Sequence, residues 1–449
     1  MFNERARRIF AARIFAAAKT SLAAAGLALA AACASDPAPG PVVSEAPRPS
    51  APPTVDRAPR EPEFEVDRRR FIEPLHLRDE EPVRVGLLLP FSASSEAAER
   101  IAASMFDAAQ LAAFQGGDQR FLLIPKDTRG TPDGAAQAAK SALSDGAEII
   151  LGPLFAGSVD AVADVAVPFG APVIAFSSDQ KSTRPGVYLL SFPPEAEVKR
   201  ITEYAVENGL VRFGLIAPEN EYGSRVSNAF SSAVYGQGGV VVHEERYIQD
   251  VTAMREPAKR LAQYSKEIIP VELRHNYDPT KPQAGEGGFA RGYQAVLIPE
   301  RGTLLRALAP LFPYYNVNIQ EVKLLGVSAW NNPRLTREPA LQGGWFAAPD
   351  PEIKGAFEAR FEETFGEKPH RLASLSYDAT LLVAKLAQNP RKDRFSAAAI
   401  ANPQGFFGAD GLFRLREDGT VERGLAILEI RSNGIEVIEP APRSFAPAF

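Results

Sequence analysis

The side chains that most often carry catalysis are few and widely separated in this sequence. It has no G-x-x-x-x-G-K-[ST] phosphate loop, no G-x-S-x-G nucleophile turn and no H-E-x-x-H zinc motif. Its single cysteine, Cys33, lies near the N-terminus, so the rest of the chain offers no thiolate as a nucleophile or metal ligand. The histidines lack the spacing of metal ligands and are His76, His243, His275 and His370. The pattern predicts a protein without enzymatic activity, metal or cofactor.

A second group of polar side chains comes directly after apolar segments of strand length. A serine pair and an aspartate follow the segment PVIAF, a tyrosine lies in the turn EYGS, and further candidates follow AVLIP and LLGV. Because the carboxyl ends of parallel strands meet at one edge of a sheet, we expect these side chains to face a common cleft. The candidates are Ser177, Ser178, Asp179, Tyr222, Glu300, Ser328 and Trp330.

Strands and amphipathic helices alternate from Val83 onward and would position these side chains. The run VRVGLLLP at 83–90 has the length of a strand, and apolar residues recur at helical spacing over 96–115. Further βα units continue to 192, and a second set runs from 193 to 327. Such an alternation predicts parallel sheets covered by helices on both faces. We therefore predict an α/β protein with two doubly wound parallel-sheet lobes and a cleft between them.

The overall composition is that of an ordinary globular protein. Hydrophobic residues make up 45% of the chain, charged residues make up 23%, and the formal net charge is −5. Nucleic-acid binding requires a basic face, so this charge balance gives no reason to expect it.

The N-terminal segment has the features of an export signal. Basic residues precede an apolar run at 21–32 that is too short to span a bilayer and ends in small residues. We predict that residues 1–32 are a signal peptide, and Cys33 directly after it resembles the lipidated cysteine of bacterial lipoproteins. The leucine that usually stands three residues before that cysteine is Ala30 here, and leucine is found at Leu29. Ordinary signal-peptide cleavage, with an incidental Cys33, is the alternative.

Lipidation would account for a lone cysteine in an exported chain, because a free thiol is a liability in an oxidising compartment. By resemblance to the sorting rule of Gram-negative lipoproteins, Ala34 after the cysteine favours the outer membrane. We therefore expect a periplasm-facing protein held in a membrane through Cys33, with the outer membrane as its expected location.

Residues 33–80 differ in composition from everything that follows. Prolines recur there and large apolar residues are scarce, so the segment cannot bury a core. We predict a disordered tether that extends by about 3.1 Å per residue and so reaches roughly 100 Å or more. A partner-binding role for this segment is the alternative to a plain spacer. Residues 441–449 are predicted to be a C-terminal tail.

Several segments, taken in order, resemble a known superfamily. They are VGLLLPFS, IILGPLFAGSVDAVADVA, PVIAFSSD, FGLIAPENEYGS, SYDATLLVAKLA and GADGLFRLREDG, spread over residues 83–432. Their order is similar to that in the type I periplasmic-binding superfamily, which includes the leucine-binding proteins. Within it, the chain most resembles the penicillin-binding protein activator lipoproteins of the LpoA type.

This resemblance implies a periplasmic-binding-like domain over 81–440. Its two lobes would each be built from discontinuous segments and joined by a hinge of three crossing strands. The resemblance places lobe one at about 83–192 plus 345–395, and lobe two at about 193–342 plus 400–440.

The resemblance also implies that an amino-acid site is largely lost. The serine that meets the ligand carboxylate in leucine-binding proteins corresponds to Ala156, and a threonine donor corresponds to Asp179, whose charge would repel a carboxylate. The ammonium-binding glutamate falls near Ser328, and only Tyr222 is kept. Asp179 and Glu300 would suit a cationic or sugar-like ligand instead. Alternatively, the cleft residues form a lobe–lobe contact in a permanently closed cleft.

These observations favour a non-catalytic envelope lipoprotein that contacts and activates a bifunctional penicillin-binding protein, which is a peptidoglycan synthase. The alternative is a periplasmic receptor for an amino-acid-like or amide solute that serves a transport system. The longer relatives in gammaproteobacteria carry an N-terminal helical repeat domain, where this chain has the predicted tether. An enzyme is the least favoured interpretation.

Overall fold

The computed structural model describes residues 81–116, 119–265 and 292–445, together with Phe71, Leu77 and the short segments 269–270 and 289–290. The predicted signal peptide, Cys33 and almost all of the predicted tether lie outside the described residues, as does the end of the predicted tail. No helix of the described part combines the length and the apolar character needed to cross a membrane.

Continuous apolar runs form a five-stranded parallel sheet in the smaller lobe. Its strand order is β2–β1–β3–β4–β5. All seven residues of the interior strand β1 are buried, because helices cover both faces of the sheet. The elements are β1 (Val83–Leu89), α1 (Glu96–Gly116), β2 (Phe121–Asp127), α2 (Pro132–Ser144), β3 (Ile149–Leu151), α3 (Ala156–Ala166), β4 (Val173–Ala175) and β5 (Val187–Leu189).

A second set of βα units forms the larger lobe. Five of its strands pair in parallel in the order β12–β11–β10–β6–β7. The elements are α4 (Pro194–Glu207), β6 (Arg212–Pro218), α5 (Glu221–Gly236), β7 (Val240–Tyr247), α6 (Arg255–Gln263), β8 (Ile269–Pro270), β9 (Phe289–Ala290), β10 (Ala295–Leu297), α7 (Gly302–Leu308), α8 (Leu311–Tyr314), β11 (Lys323–Gly326) and β12 (Trp345–Ala348). The predicted α/β fold with two parallel-sheet lobes is confirmed.

The last part of the chain completes both lobes. Its elements are α9 (Pro351–Phe365), α10 (Ala373–Leu386), α11 (Ala397–Ile400), β13 (Phe406–Gly408), β14 (Gly411–Leu415), β15 (Val421–Arg423), β16 (Ala426–Arg431) and β17 (Gly434–Glu439). Strand β16 pairs antiparallel with β12, and β17 pairs antiparallel with β16, which extends the larger sheet to seven strands. Helix α10 fills the core of the smaller lobe, where Leu375, Leu382 and Val383 lie with Met105 of α1.

Two of the predicted lobe boundaries are wrong. We predicted that the first lobe resumes at residue 345, but β12 pairs with β11 and β16 in the larger sheet and is largely buried there. We also placed 400–440 in the second lobe. Strands β13, β14 and β15 form a separate three-stranded sheet, whose Phe406 and Phe413 lie in the core of the smaller lobe. The chain therefore passes between the lobes after β5, after β12 and after β15.

Trp330 is the largest side chain that is fully buried in the larger lobe. It lies in the main core cluster of that lobe, beside Phe346 and Leu341. Its indole ring occupies the space beside Gly326 at the end of β11, where an added Cβ atom would stand 2.1 Å from the ring. A glycine at this strand end is therefore required by packing against the tryptophan.

We expect Gly326→Ala to lower the free energy of unfolding by about 1–3 kcal/mol, because the methyl group would displace the Trp330 ring. Gly355→Ala is the matched control, since nothing lies within 4 Å of its added Cβ atom and it is in the middle of α9. The control should gain about 0.5–1 kcal/mol from helix propensity. Urea denaturation of both variants measures these changes, and equal stabilities would contradict the packing role of Gly326.

Candidate functional site

A cleft with a volume of about 600 Å³ lies between the two lobes, at the carboxyl ends of their strands. Its volume is in the usual range for small-molecule sites. The larger lobe provides most of its wall, and the smaller lobe contributes residues after β4 and at the beginnings of α9 and α10. Both sheets thus direct their strand ends at one space, as the sequence predicts.

Four of the seven predicted cleft residues line this space. They are Ser178 on the smaller lobe and Tyr222, Glu300 and Ser328 on the larger lobe. Asn220 begins α5 here, because its side chain accepts a hydrogen bond of 2.8 Å from the Gly223 N–H. Tyr222, in the first turn of this helix, lines the cleft.

The other three predicted residues serve the fold outside the cleft lining. The Ser177 Oγ accepts a hydrogen bond of 3.1 Å from the Asp179 N–H, and Ser177 is buried. Asp179 accepts from the Lys181 N–H at 3.1 Å and so begins a short 3₁₀ turn. Trp330 belongs to the core of the larger lobe. The expectation that Asp179 and Trp330 point into the cleft is therefore wrong.

Glu197 of α4 is a buried carboxyl group in the cleft wall that the strand-end pattern did not reveal. It accepts two hydrogen bonds from Ser328, at 2.9 Å from the backbone N–H and at 2.6 Å from the hydroxyl. Burial raises the pKa of Glu197 from 4.5 to about 7, against the opposing effect of these hydrogen bonds and of Arg371. Ser328 is thus held by Glu197 instead of being free to meet a ligand.

Glu300 is the second buried carboxyl group of the cleft wall. It accepts hydrogen bonds from the Tyr247 hydroxyl at 2.5 Å, from the Gln249 amide at 3.2 Å and from the Arg301 N–H at 2.9 Å. Only 3% of its surface is exposed, so these internal donors satisfy its charge. Burial and the nearby carboxylates raise the pKa of Tyr222, which keeps its hydroxyl protonated beside them.

Four basic residues also line the cleft, and two of them are neutralised locally. Arg225 pairs with Glu195 through bonds of 2.7 and 2.9 Å and also donates to the Ser178 carbonyl at 3.2 Å, which links the lobes. Lys354 pairs with the buried Asp410 at 3.2 Å. The other two are Arg301 and Arg371. Both are exposed, and within the described ranges neither guanidinium has an acidic partner in an ion pair.

A buried charge network supports the cleft at the third chain crossing. The Arg423 guanidinium lies 4.3 Å from the centre of the Phe192 ring, which lines the cleft, and its Nε donates to the Ser191 carbonyl at 2.7 Å. The same guanidinium is 3.8 Å from Asp378. Burial and the neighbouring Asp410 raise the pKa of Asp378 above its ordinary value. The crossing is therefore held by groups whose charges depend on one another.

Known proteins share this fold. Residues 82–266 match the model of a periplasmic binding protein family. A putative branched-chain amino acid ABC transporter from Rhodospirillum rubrum superimposes with a TM-score of 0.64 at 18% identity, covering 80% of this chain and 100% of its own. This chain has the fold of the type I periplasmic binding proteins. An ABC transporter substrate-binding protein from Sphaerobacter thermophilus shares that type I fold with a TM-score of 0.58 at 19% identity, covering 81% and 98% of the two chains.

Two curated relatives named penicillin-binding protein activator LpoA match part of this chain. The relative from Pantoea ananatis is 30% identical over 122 residues, which are 27% of this chain and 17% of the relative. The relative from Pectobacterium parmentieri is 26% identical over 122 residues, which are 27% of this chain and 18% of the relative. The match thus spans less than a fifth of either relative's length. The predicted resemblance to both groups is confirmed to this extent.

The raised pKa of Glu197 predicts that this group makes stability depend on pH. The folded state keeps the Glu197 proton between about pH 4.5 and 7, where the unfolded chain has lost it. The free energy of unfolding therefore falls as pH rises through that window, by up to about 3 kcal/mol from this one group.

Glu197→Gln should remove this contribution, because an amide does not titrate. We expect the variant's free energy of unfolding to fall less than that of the unsubstituted protein between pH 5 and 8 in urea titrations. Asp378 titrates in both proteins, so the difference isolates Glu197. Glu207→Gln, an exposed substitution on the same helix, is the control. Parallel curves for the Glu197 variant and the unsubstituted protein would contradict the burial of a titrating carboxyl group.

Proposed function

We propose that this chain is a non-catalytic envelope protein that contacts and activates a bifunctional penicillin-binding protein. The observation that carries this proposal is the 122-residue likeness to two relatives named as activators of penicillin-binding proteins. Those relatives are much longer than the matched region, so their activating role enters here as part of the proposal. The partner would be a peptidoglycan synthase of the same envelope.

The cleft supports a role other than amino-acid capture. An amino-acid ligand needs free hydroxyl and backbone donors for its carboxylate and a free carboxylate for its ammonium group. In this cleft the Ser328 hydroxyl and N–H are bound to Glu197, and Glu300 is occupied by three internal donors. Ser328 and the two buried carboxyl groups of the cleft are therefore already bound to internal partners.

The serines of the cleft region also have non-catalytic roles. Ser177 stabilises the turn before Asp179, and the Ser178 carbonyl accepts from Arg225 across the cleft. The Ser328 hydroxyl donates a hydrogen bond to the carboxyl group of Glu197, which is buried in the cleft wall. These contacts support a binding protein in preference to an acyl-transfer enzyme.

A solute receptor is the second candidate. The cleft is large enough for a small molecule, and residues of both lobes line it. Such a receptor would be stabilised by its ligand in proportion to the logarithm of ligand excess. A thermal-shift screen against amino acids, amines, amides and cell-wall fragments tests this candidate.

For location, we propose export to the periplasm and anchoring through a lipid on Cys33, with Ala34 directing the protein to the outer membrane. Several acyl chains, at about 0.8 kcal/mol per buried CH₂, would make the anchor stable. The tether of residues 33–80 would then let the folded part reach a synthase some distance from its membrane.

The activator role predicts a direct effect on glycan synthesis. The mature chain, added to each purified bifunctional penicillin-binding protein of its own organism, should co-purify with one of them and raise its rate of glycan polymerisation from lipid-linked precursor. The Sphaerobacter thermophilus substrate-binding protein, which has the same fold, is the control and should do neither. If no synthase binds the chain or responds to it, the activator proposal is wrong.

The anchor predicts a change in fractionation when Cys33 is replaced. Cys33→Ser should abolish incorporation of labelled fatty acid and move the protein from the membrane to the soluble periplasmic fraction. Ala34→Asp should keep the label and shift the protein to the inner membrane. Labelled protein from the Cys33 variant would contradict lipidation at this residue.

A further inference from the structure

Arg301 and Arg371 stand out among the charged groups of the cleft because each lobe contributes one of them. Arg301 immediately precedes α7 of the larger lobe, and Arg371 lies just before α10 of the smaller lobe. Both line the cleft and both are exposed. Two guanidinium groups on opposite walls repel each other, and their repulsion opposes closure of the cleft.

The acids of the cleft do not offset these two guanidinium groups by pairing with them. Glu300 is buried and binds Tyr247, Gln249 and the Arg301 backbone N–H. Glu197 is buried and binds Ser328, and although Arg371 lies near enough to favour its ionised form, the two form no ion pair. The accessible charge of the cleft is therefore positive, whereas its acidic groups lie inside the walls.

Arg225 and Lys354 leave this balance unchanged, because Glu195 and Asp410 neutralise them. A guanidinium group has a planar set of donors that matches a carboxylate with two parallel hydrogen bonds. A molecule with one anionic group at each end could therefore satisfy both arginines at once.

We propose that the inter-lobe cleft binds a small dianion, of the dicarboxylate class, that bridges Arg301 of the larger lobe and Arg371 of the smaller lobe. Such a ligand attracts both guanidinium groups and offsets the repulsion between them. Its binding therefore favours a closed cleft. The inference rests on the cleft alone. A small molecule could therefore bind here whether or not the protein activates a synthase.

The proposed ligand is anionic, whereas the sequence suggested a cationic one. That expectation relied on Asp179 and Glu300 as free carboxylates. Asp179 begins a 3₁₀ turn outside the cleft lining, and Glu300 is satisfied by internal donors. Neither is available to a cation, whereas Arg301 and Arg371 are both available to an anion.

The test measures binding of malonate, succinate, glutarate and adipate to the mature protein at constant ionic strength, by thermal shift and then by calorimetry. Acetate, putrescine and L-leucine serve as the monoanion, the dication and the zwitterion. At least one dicarboxylate should bind with one-to-one stoichiometry and more tightly than all three controls. Small-angle scattering should show a smaller radius of gyration with that ligand bound, because the lobes close around it.

Arg301→Gln and Arg371→Gln should each weaken that binding by about ten- to a hundredfold, the usual effect of losing hydrogen bonds to a charged group. Arg337→Gln removes the same charge from an exposed turn outside the cleft lining and should leave the affinity unchanged. The melting temperatures of the unliganded variants verify that each is folded.

Three results would overturn the proposal. The first is that no dicarboxylate of the series binds. The second is that acetate, putrescine or leucine binds as tightly as the best dicarboxylate. The third is that binding persists unchanged in either cleft variant. The glycan polymerisation assay is independent of all three, so failure of this inference is distinguishable from failure of the activator proposal.

Discussion

The structure depends on one constraint, that parallel strands end together at the same edge of a sheet. Two such sheets face each other here, and each ends its strands at the space between the lobes. Backbone and side-chain groups at strand ends no longer have partners within the sheet, so they must find them elsewhere. The capping by Asn220, the pairing of Glu197 with Ser328 and the cleft itself are all consequences of that geometry.

Buried ionisable groups meet a second requirement, because an ionised group taken from water must be compensated or neutralised. The protein uses both solutions. Glu245 in β7 is paired with Arg260, whereas Glu197 and Asp378 respond to burial with a raised pKa. The two latter groups lie where the lobes meet.

Much of the fold could be predicted because its signals are local. Apolar runs such as 83–90 predicted strands, and β1 is found at Val83–Leu89. The strand-end rule also located Ser178, Tyr222, Glu300 and Ser328 correctly at the cleft. It failed for Ser177, because adjacent residues of an extended segment point in opposite directions. The strand-end rule could not predict Glu197, Arg371 and Lys354, because helices from distant parts of the chain bring them to the cleft. Glu197, for example, lies 131 residues from Ser328 in the sequence.

The three crossings between the lobes also determine the order in which the protein can be completed during synthesis. Residues 83–192 leave the ribosome without α10, the helix that fills their core, and without the three-stranded sheet of β13 to β15. The larger sheet is likewise incomplete until β16 and β17 have been synthesised. Neither lobe can bury its whole apolar surface until almost the entire chain has emerged. A nascent chain of this protein therefore exposes apolar surface for most of its translation, which is compatible with export of an unfolded chain and folding afterwards.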